Sequence, residues 1–225
     1  MPVMTSAADL RAAARRGEWR GTTAGHCSAY QQVNPVILPR DVAAEFAAFC
    51  TRNPKPCPII EITVAGDREP LRSAPGADPR TDVPGYRIYR RGELAEKRAD
   101  IRDVWRDDLV AFLLGCSFTF EHALVEAGVP PRNVELGTDV SMPVSSIMCV
   151  PAGRFHGPTV VTFRPIPSGR WSWYASSRPG TRTPTARPST SATRRRSASP
   201  TSAGPSSATR PRPTRARSRC SGPAA

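Results

Sequence analysis

From Arg170 to Ala225 the chain contains no Leu, Ile, Val, Met or Phe and no Asp or Glu, while 12 of its residues are Arg and most of the rest are Ser, Pro, Thr and Ala. Ordering a residue costs about 1–2 kcal/mol of backbone entropy, which folding offsets chiefly by burying apolar side chains. A segment with so few of them is expected to stay disordered. Every packed element must then come from residues 1–169, a length sufficient for one ordinary domain with a core.

The same stretch holds the charge. The whole chain carries a net +13 with a pI near 10.6, but residues 1–169 hold 20 basic and 19 acidic side chains, a net of +1. The body is close to neutral, and a basic tail of this kind can bind phosphates non-specifically by counterion release. Two function classes therefore stand open: an enzyme whose chemistry lies in the body, or a non-catalytic protein whose Arg/Ser-rich tail binds nucleic acid.

The six cysteines, at 27, 50, 57, 116, 149 and 220, form no close pair, which argues against a zinc ribbon or a redox dithiol. No charged-then-apolar leader and no long apolar run is present, so a cytoplasmic protein with reduced thiols and no membrane span is expected. No phosphate-binding glycine loop and no metal-spaced His/Asp cluster occurs, so neither cofactor nor metal is expected.

Along the body, Ser6 followed by "AADLRAAARRGE" predicts a capped helix ending near Gly17. "VNPVILP" predicts an extended segment, because Pro35 and Pro39 discourage helix around them. "PRDVAAEFAAFCTRN" predicts a helix with Val42, Phe46 and Phe49 on one face. "CPIIEITV" reads as a strand, "APGADPRTDVPG" as a polar loop, and "YRIYRRGEL" as a strand turning at Arg91-Gly92. "DVWRDDLVAFLLGC" and "TFEHALVEAG" both predict helices, the second closed by Gly128. "GPTVVTFRPI" predicts a further strand. Alternating helices and strands place the chain in the α/β class, a mixed sheet with flanking helices.

The strings "RNPKPCPIIEIT", "PGADPRTDVPGYRIYR", "WRDDLVAFLLGCSFTFEHAL" and "CVPAGRFHGPTVVTFRPIP", taken in order, resemble the D-glutamate cyclase family of bacterial hydro-lyases over nearly all of 1–169. The resemblance implies an α/β fold and a small amino-acid or carboxylic-acid substrate. The reaction it implies is the dehydrative cyclisation of D-glutamate to 5-oxo-D-proline. A homo-oligomer is an open state. One stretch departs from the family: "VSMPVSSIMC" places Pro143, Val144 and Ser146 where a pattern like "VPMYRTNIPC" has Tyr, Arg and Asn. If that Arg or Asn contacts substrate, this chain lacks it.

The resemblance also gives the tail a reading. Shifted by one base with GC-rich synonymous codons, the tail from Trp171 yields mixed-composition text that includes "GAPVHIGDP" and the strand-like "EVPVFWACG", both resembling the family's continuation. The expectation is an incomplete family domain over 1–169 and an out-of-frame tail over 170–225, in a copy of impaired activity.

Losing water between an amine and a distant carboxyl needs a base for the amine, an acid for the departing hydroxide, and donors that hold the carboxylates. "AGRFHGP" offers Arg154 as a bidentate fork for a carboxylate and His156 as a proton carrier, or else an ordinary turn before a strand. "GCSFTFE" offers Cys116, Ser117, Thr119 and Glu121 at a helix start. There Ser117 and Glu121 would serve the helix end or would bind substrate, and Cys116 would be a buried small residue or a reactive one. "NPKPCP" holds Asn53 and Lys55 in a proline-stiffened loop able to meet an anion. "GADPRTD" places Asp78 and Arg80 together, as a surface ion pair or as site residues.

Overall fold

The computed structural model describes residues 3–126, 128–136, 140–165 and 169. The disorder and the shifted frame expected of 170–225 therefore lie outside the described residues. Within them the chain is a mixed α/β structure.

Helix α1 (Ala7–Arg16) begins and ends where the sequence predicts. Ser6 accepts a hydrogen bond from the Asp9 N–H, and Gly17 closes the helix in the left-handed region at φ 81°, a conformation that favours glycine. Strand β1 (Val33–Pro39) runs directly into helix α2 (Arg40–Arg52). After β2 (Ile59–Ile62) comes a long loop, then a hairpin of β3 (Tyr86–Arg90) and β4 (Glu93–Arg98). Its two-residue turn is Arg91-Gly92, both with positive φ, 53° and 83°. That geometry matches the twist of the flanking strands.

Strand β5 (Leu109–Gly115) lies between β1 and β2 and pairs antiparallel with both. This corrects the helix expected over "DVWRDDLVAFLLGC": only Arg102–Val104 form a single 3-10 turn, and the apolar run is strand. Six consecutive residues of β5 are buried. A strand covered on both faces loses the alternating pattern and becomes a short continuous apolar run, which periodicity alone cannot distinguish from a buried helix. The two prolines of β1 are accommodated because β1 is an edge strand. On the other side of β5, the Thr63 hydroxyl accepts from the Ala111 N–H and extends the pairing beyond β2.

Helix α3 (Phe118–Glu126) and the short α4 (Arg132–Glu135) follow, with Gly128 at φ 70° after the first. The sequence did not mark the next element, β6 (Val144–Met148), which pairs with β7 (Pro158–Val160) as a separate two-stranded sheet.

The core lies between α2 and the three-stranded sheet. Ala43, Phe46, Phe49 and Cys50 face Val110, Phe112 and Leu114, the three-to-four-residue spacing of an inward helix face. Phe46 meets Phe112 edge-on at 4.9 Å and Phe155 at 5.1 Å. Phe155 therefore seats the "AGRFHGP" loop on α2. Among the described residues no helix is long and apolar enough to cross a membrane.

Candidate active site at the end of the central strand

Strand β5 ends at Gly115, where the chain must turn sharply from a buried strand into α3. The Gly115 N–H donates to the Pro58 carbonyl, and the Cys116 N–H donates to the Gln32 carbonyl. These bonds gather the residues before β1, the residues before β2 and the start of α3 at one end of the sheet.

Four of the candidate residues stand at this corner. The Thr119 hydroxyl accepts from the Gln32 N–H at 2.9 Å. Glu121 is buried and paired with Arg164, their side chains 6% and 9% exposed and 2.7 Å apart. Arg164 is fully engaged: it also donates to the Thr162 hydroxyl at 2.8 Å and to the Ser117 hydroxyl at 2.9 Å. A buried charge pair persists only when its remaining donors and acceptors are satisfied, and here Ser117 and Thr162 serve Arg164. Burial pushes the Cys116 thiol above its ordinary value, partly offset by hydrogen bonds from the Phe118 N–H and the Asn34 side chain and by the nearby Arg164. Burial thus favours the neutral thiol of Cys116 over the thiolate.

Arg164 is the residue that sequence reasoning missed. It lies in the quoted "FRPIP", four residues past the end of β7, and nothing in that string announces a partner 43 residues earlier.

The second cluster adjoins the same sheet end through Cys57 and Pro58. His156 lines a small cavity of about 20 Å³ with Phe49, Cys57, Cys149 and Thr159. The Cys149 thiol and the Thr159 hydroxyl are 3.3 Å apart. Arg154 turns outward: its N–H and guanidinium both donate to Glu45 of α2, and Gly153 takes φ 53° against that carboxylate. The fork expected for a substrate is directed at Glu45.

Asn53 is buried and acts as a clamp. Its amide donates to the Phe49 and Val150 carbonyls and its oxygen accepts from the Val150 N–H, each at 2.8 Å. It fastens the end of α2 to the strand leading into the loop. Lys55 lies in the turn that follows.

Asp78 and Arg80 are elsewhere. They pair with each other at 2.7 Å and line an open cleft of about 760 Å³ with Arg15, Gly66, Arg68 and Arg102. Gly66 bonds to Leu109, at the start of β5. The cleft thus lies at the opposite end of β5 from Cys116, roughly 20 Å away at about 3.3 Å per residue. The structure brings together Cys116, Ser117, Thr119 and Glu121, sets His156 beside the same sheet end, and leaves Asp78 and Arg80 apart. Among the described residues no group of three or more His, Cys, Asp or Glu is placed to hold a metal ion, and Cys27, Cys50, Cys57, Cys116 and Cys149 are free thiols.

The corner falls within the region that known proteins share. The profile of the D-glutamate cyclase family matches residues 110–178. A Geobacillus kaustophilus protein named "Putative hydro-lyase" is 54% identical over 162 residues, covering 72% of this chain and 62% of that protein. One of the same name from Rubrobacter xylanophilus is 55% identical over 159 residues, 71% of this chain and 61% of the relative. Another, from Bacillus subtilis, is 52% identical over 159 residues, 71% and 62%. The chain spans about three fifths of the length of these relatives.

Proposed function

Because the chain belongs to the D-glutamate cyclase family, we propose that it derives from a hydro-lyase that dehydrates a small amino or carboxylic acid, with D-glutamate to 5-oxo-D-proline as the leading reaction. In that reaction the amine nitrogen bonds to the distal carboxyl carbon, and one carboxyl oxygen leaves as water. The observation that carries this reading is the corner at Gly115, where a largely buried thiol, two hydroxyls and a buried carboxylate–guanidinium pair meet at a strand end.

Each group has a role that its surroundings favour. The Cys116 thiol, held protonated by burial, can hand a proton to the departing oxygen. Arg164, fixed by Glu121, Ser117 and Thr162, is a positioning residue that sets the corner's shape and charge. His156, across the sheet end, can accept the amine proton. Arg154 would bind substrate only by leaving Glu45. Pro143, Val144 and Ser146 stand in the stretch where this chain departs from the family pattern, and the tail from Arg170 is read as the family's coding region one base out of frame. On that reading the 225-residue chain is an impaired copy.

The test uses the frame-restored protein with D-glutamate, L-glutamate as control, and chiral chromatography of the product. Formation of 5-oxo-D-proline is expected. Cys116→Ala and His156→Gln are expected to lower kcat by about 10²-fold or more, the usual scale for a lost general acid or base. Full turnover in both variants would sink the assignment. The coding DNA across codons 165–175, read in three frames, checks the tail.

A further inference from the structure

The β6–β7 hairpin exposes apolar side chains where a soluble domain normally places charge. Val144 is 61% exposed, Ile147 53%, Met148 63% and Phe163 60%. These are spread over both faces of the hairpin, so the exposure is not the outer half of an ordinary alternating strand. From Val140 to Pro151 there is no charged residue. Natural edge strands are blunted by charges, inward-pointing Lys, bulges or covering elements. Among the described residues β6 pairs only with β7, so its other edge has no strand beside it, although the Ile147 N–H donates to the Ser145 hydroxyl.

Two observations indicate what belongs there. About two fifths of the relatives' length lies outside the matched part. The tail, read one base out of frame with GC-rich synonymous codons, yields "EVPVFWACG", an apolar and aromatic string of a kind absent from 170–225. A strand of that composition added to an open apolar edge supplies main-chain hydrogen bonds and side-chain burial together.

We propose that the open edge and apolar faces of β6–β7 are the seat of the family's C-terminal strand, so that a C-terminal fragment of a relative can dock on this chain in trans. The proposal rests on the family assignment and on the reading of the tail, and its test reads binding without activity.

The full 225-residue chain is coexpressed with a tagged fragment of the Geobacillus kaustophilus relative, comprising everything after the position equivalent to Phe163. The expected result is stoichiometric copurification, with amide exchange across residues 144–148 and 158–163 slowed by about tenfold or more relative to the chain alone. Ile147→Asp and Met148→Asp alter exposed side chains, substitutions that ordinarily leave a fold intact, and both are expected to abolish copurification. Failure to copurify, slowed exchange confined to other segments, or indifference to both substitutions would overturn the proposal. So would a self-associated chain with β6 already protected, which would make a second copy the occupant. Docking is read without turnover, so a loss of activity due to Pro143, Val144 and Ser146 leaves the seat standing.

Discussion

Glu121 and Arg164 show how far a single residue type can be read from sequence. Glu121 at a helix start could serve the helix dipole or a site, and "GCSFTFE" does not decide between them. The structure gives it a buried cation, 2.7 Å away, from the segment after β7, 43 residues later. Removing one partner of a buried pair leaves an uncompensated charge, at a cost of about 3–5 kcal/mol. Glu121→Gln and Arg164→Met are each expected to destabilise on that scale in urea unfolding of the frame-restored protein. The double variant is expected to cost less than the sum by about 0.5–3 kcal/mol, since neither charge is then stranded; full additivity would show that the pair is not coupled. Asp82 carries a pH prediction. Burial acts to raise its pKa, but two hydrogen bonds from Arg15, one from the Asp78 N–H and one from the Thr81 hydroxyl outweigh that and hold the carboxyl below its ordinary value. A depressed carboxyl stabilises the fold above its unfolded pKa of about 3.9, and the contribution is lost as pH falls through the folded value. The stability gap between the parent and Arg15→Met is therefore expected to be widest near neutrality and to narrow below about pH 4. A gap that is constant with pH would exclude the linkage.

At the scale of elements, what the sequence made legible was local chemistry. Ser6 and Gly17 bound α1 because cap and left-handed glycine act within one turn of chain. Arg91-Gly92 places the β3–β4 turn because two consecutive positive φ values are required there. Non-local elements were not legible. Strand β5 was taken for helix because its identity depends on being covered on both faces, a property of its neighbours. Strand β6 was missed because its exposed apolar residues follow no alternation. The site follows the same division: the string holding Cys116, Ser117, Thr119 and Glu121 was visible, while Arg164 and the clamp role of Asn53 depend on contacts across the fold. The turn offers a direct check. Arg91 adopts φ 53°, which costs an L-residue other than Asn, Asp or Gly about 1 kcal/mol. Arg91→Asn is expected to raise the thermal midpoint of the frame-restored protein modestly, and Gly92→Val to lower it. A lowered midpoint in Arg91→Asn would contradict the turn geometry.

At the scale of the whole molecule, the described fold has one well-packed half and one open half. The α2–sheet core buries three phenylalanines, Phe46, Phe49 and Phe112, nearly completely. The β6–β7 hairpin leaves Val144, Ile147, Met148 and Phe163 largely in water. Burying a side chain of that size contributes roughly 1.5–3 kcal/mol, so four left exposed correspond to a large part of the roughly 5–15 kcal/mol that holds a domain together. The residues from Arg170 onward include no Leu, Ile, Val, Met or Phe to cover them and carry 12 arginines. The 225-residue chain is therefore expected to bind a hydrophobic dye strongly, to melt broadly, to aggregate at modest concentration and to leave D-glutamate unconverted. On the proposed reading of the tail, restoring the frame near codon 170 replaces the arginine-rich segment with one that holds an apolar strand. It is expected to reduce dye binding, sharpen the melt into a cooperative transition and bring back turnover if Pro143, Val144 and Ser146 do not themselves abolish it. Those three positions can be separated from the tail by a second change, replacing them with the Tyr, Arg and Asn of the family pattern. Stability and turnover are expected to return with the frame, and turnover to rise further with the three replacements. A cooperative melt with low dye binding from the unaltered chain would refute the account, because it would mean that the apolar hairpin is satisfied without the missing strand.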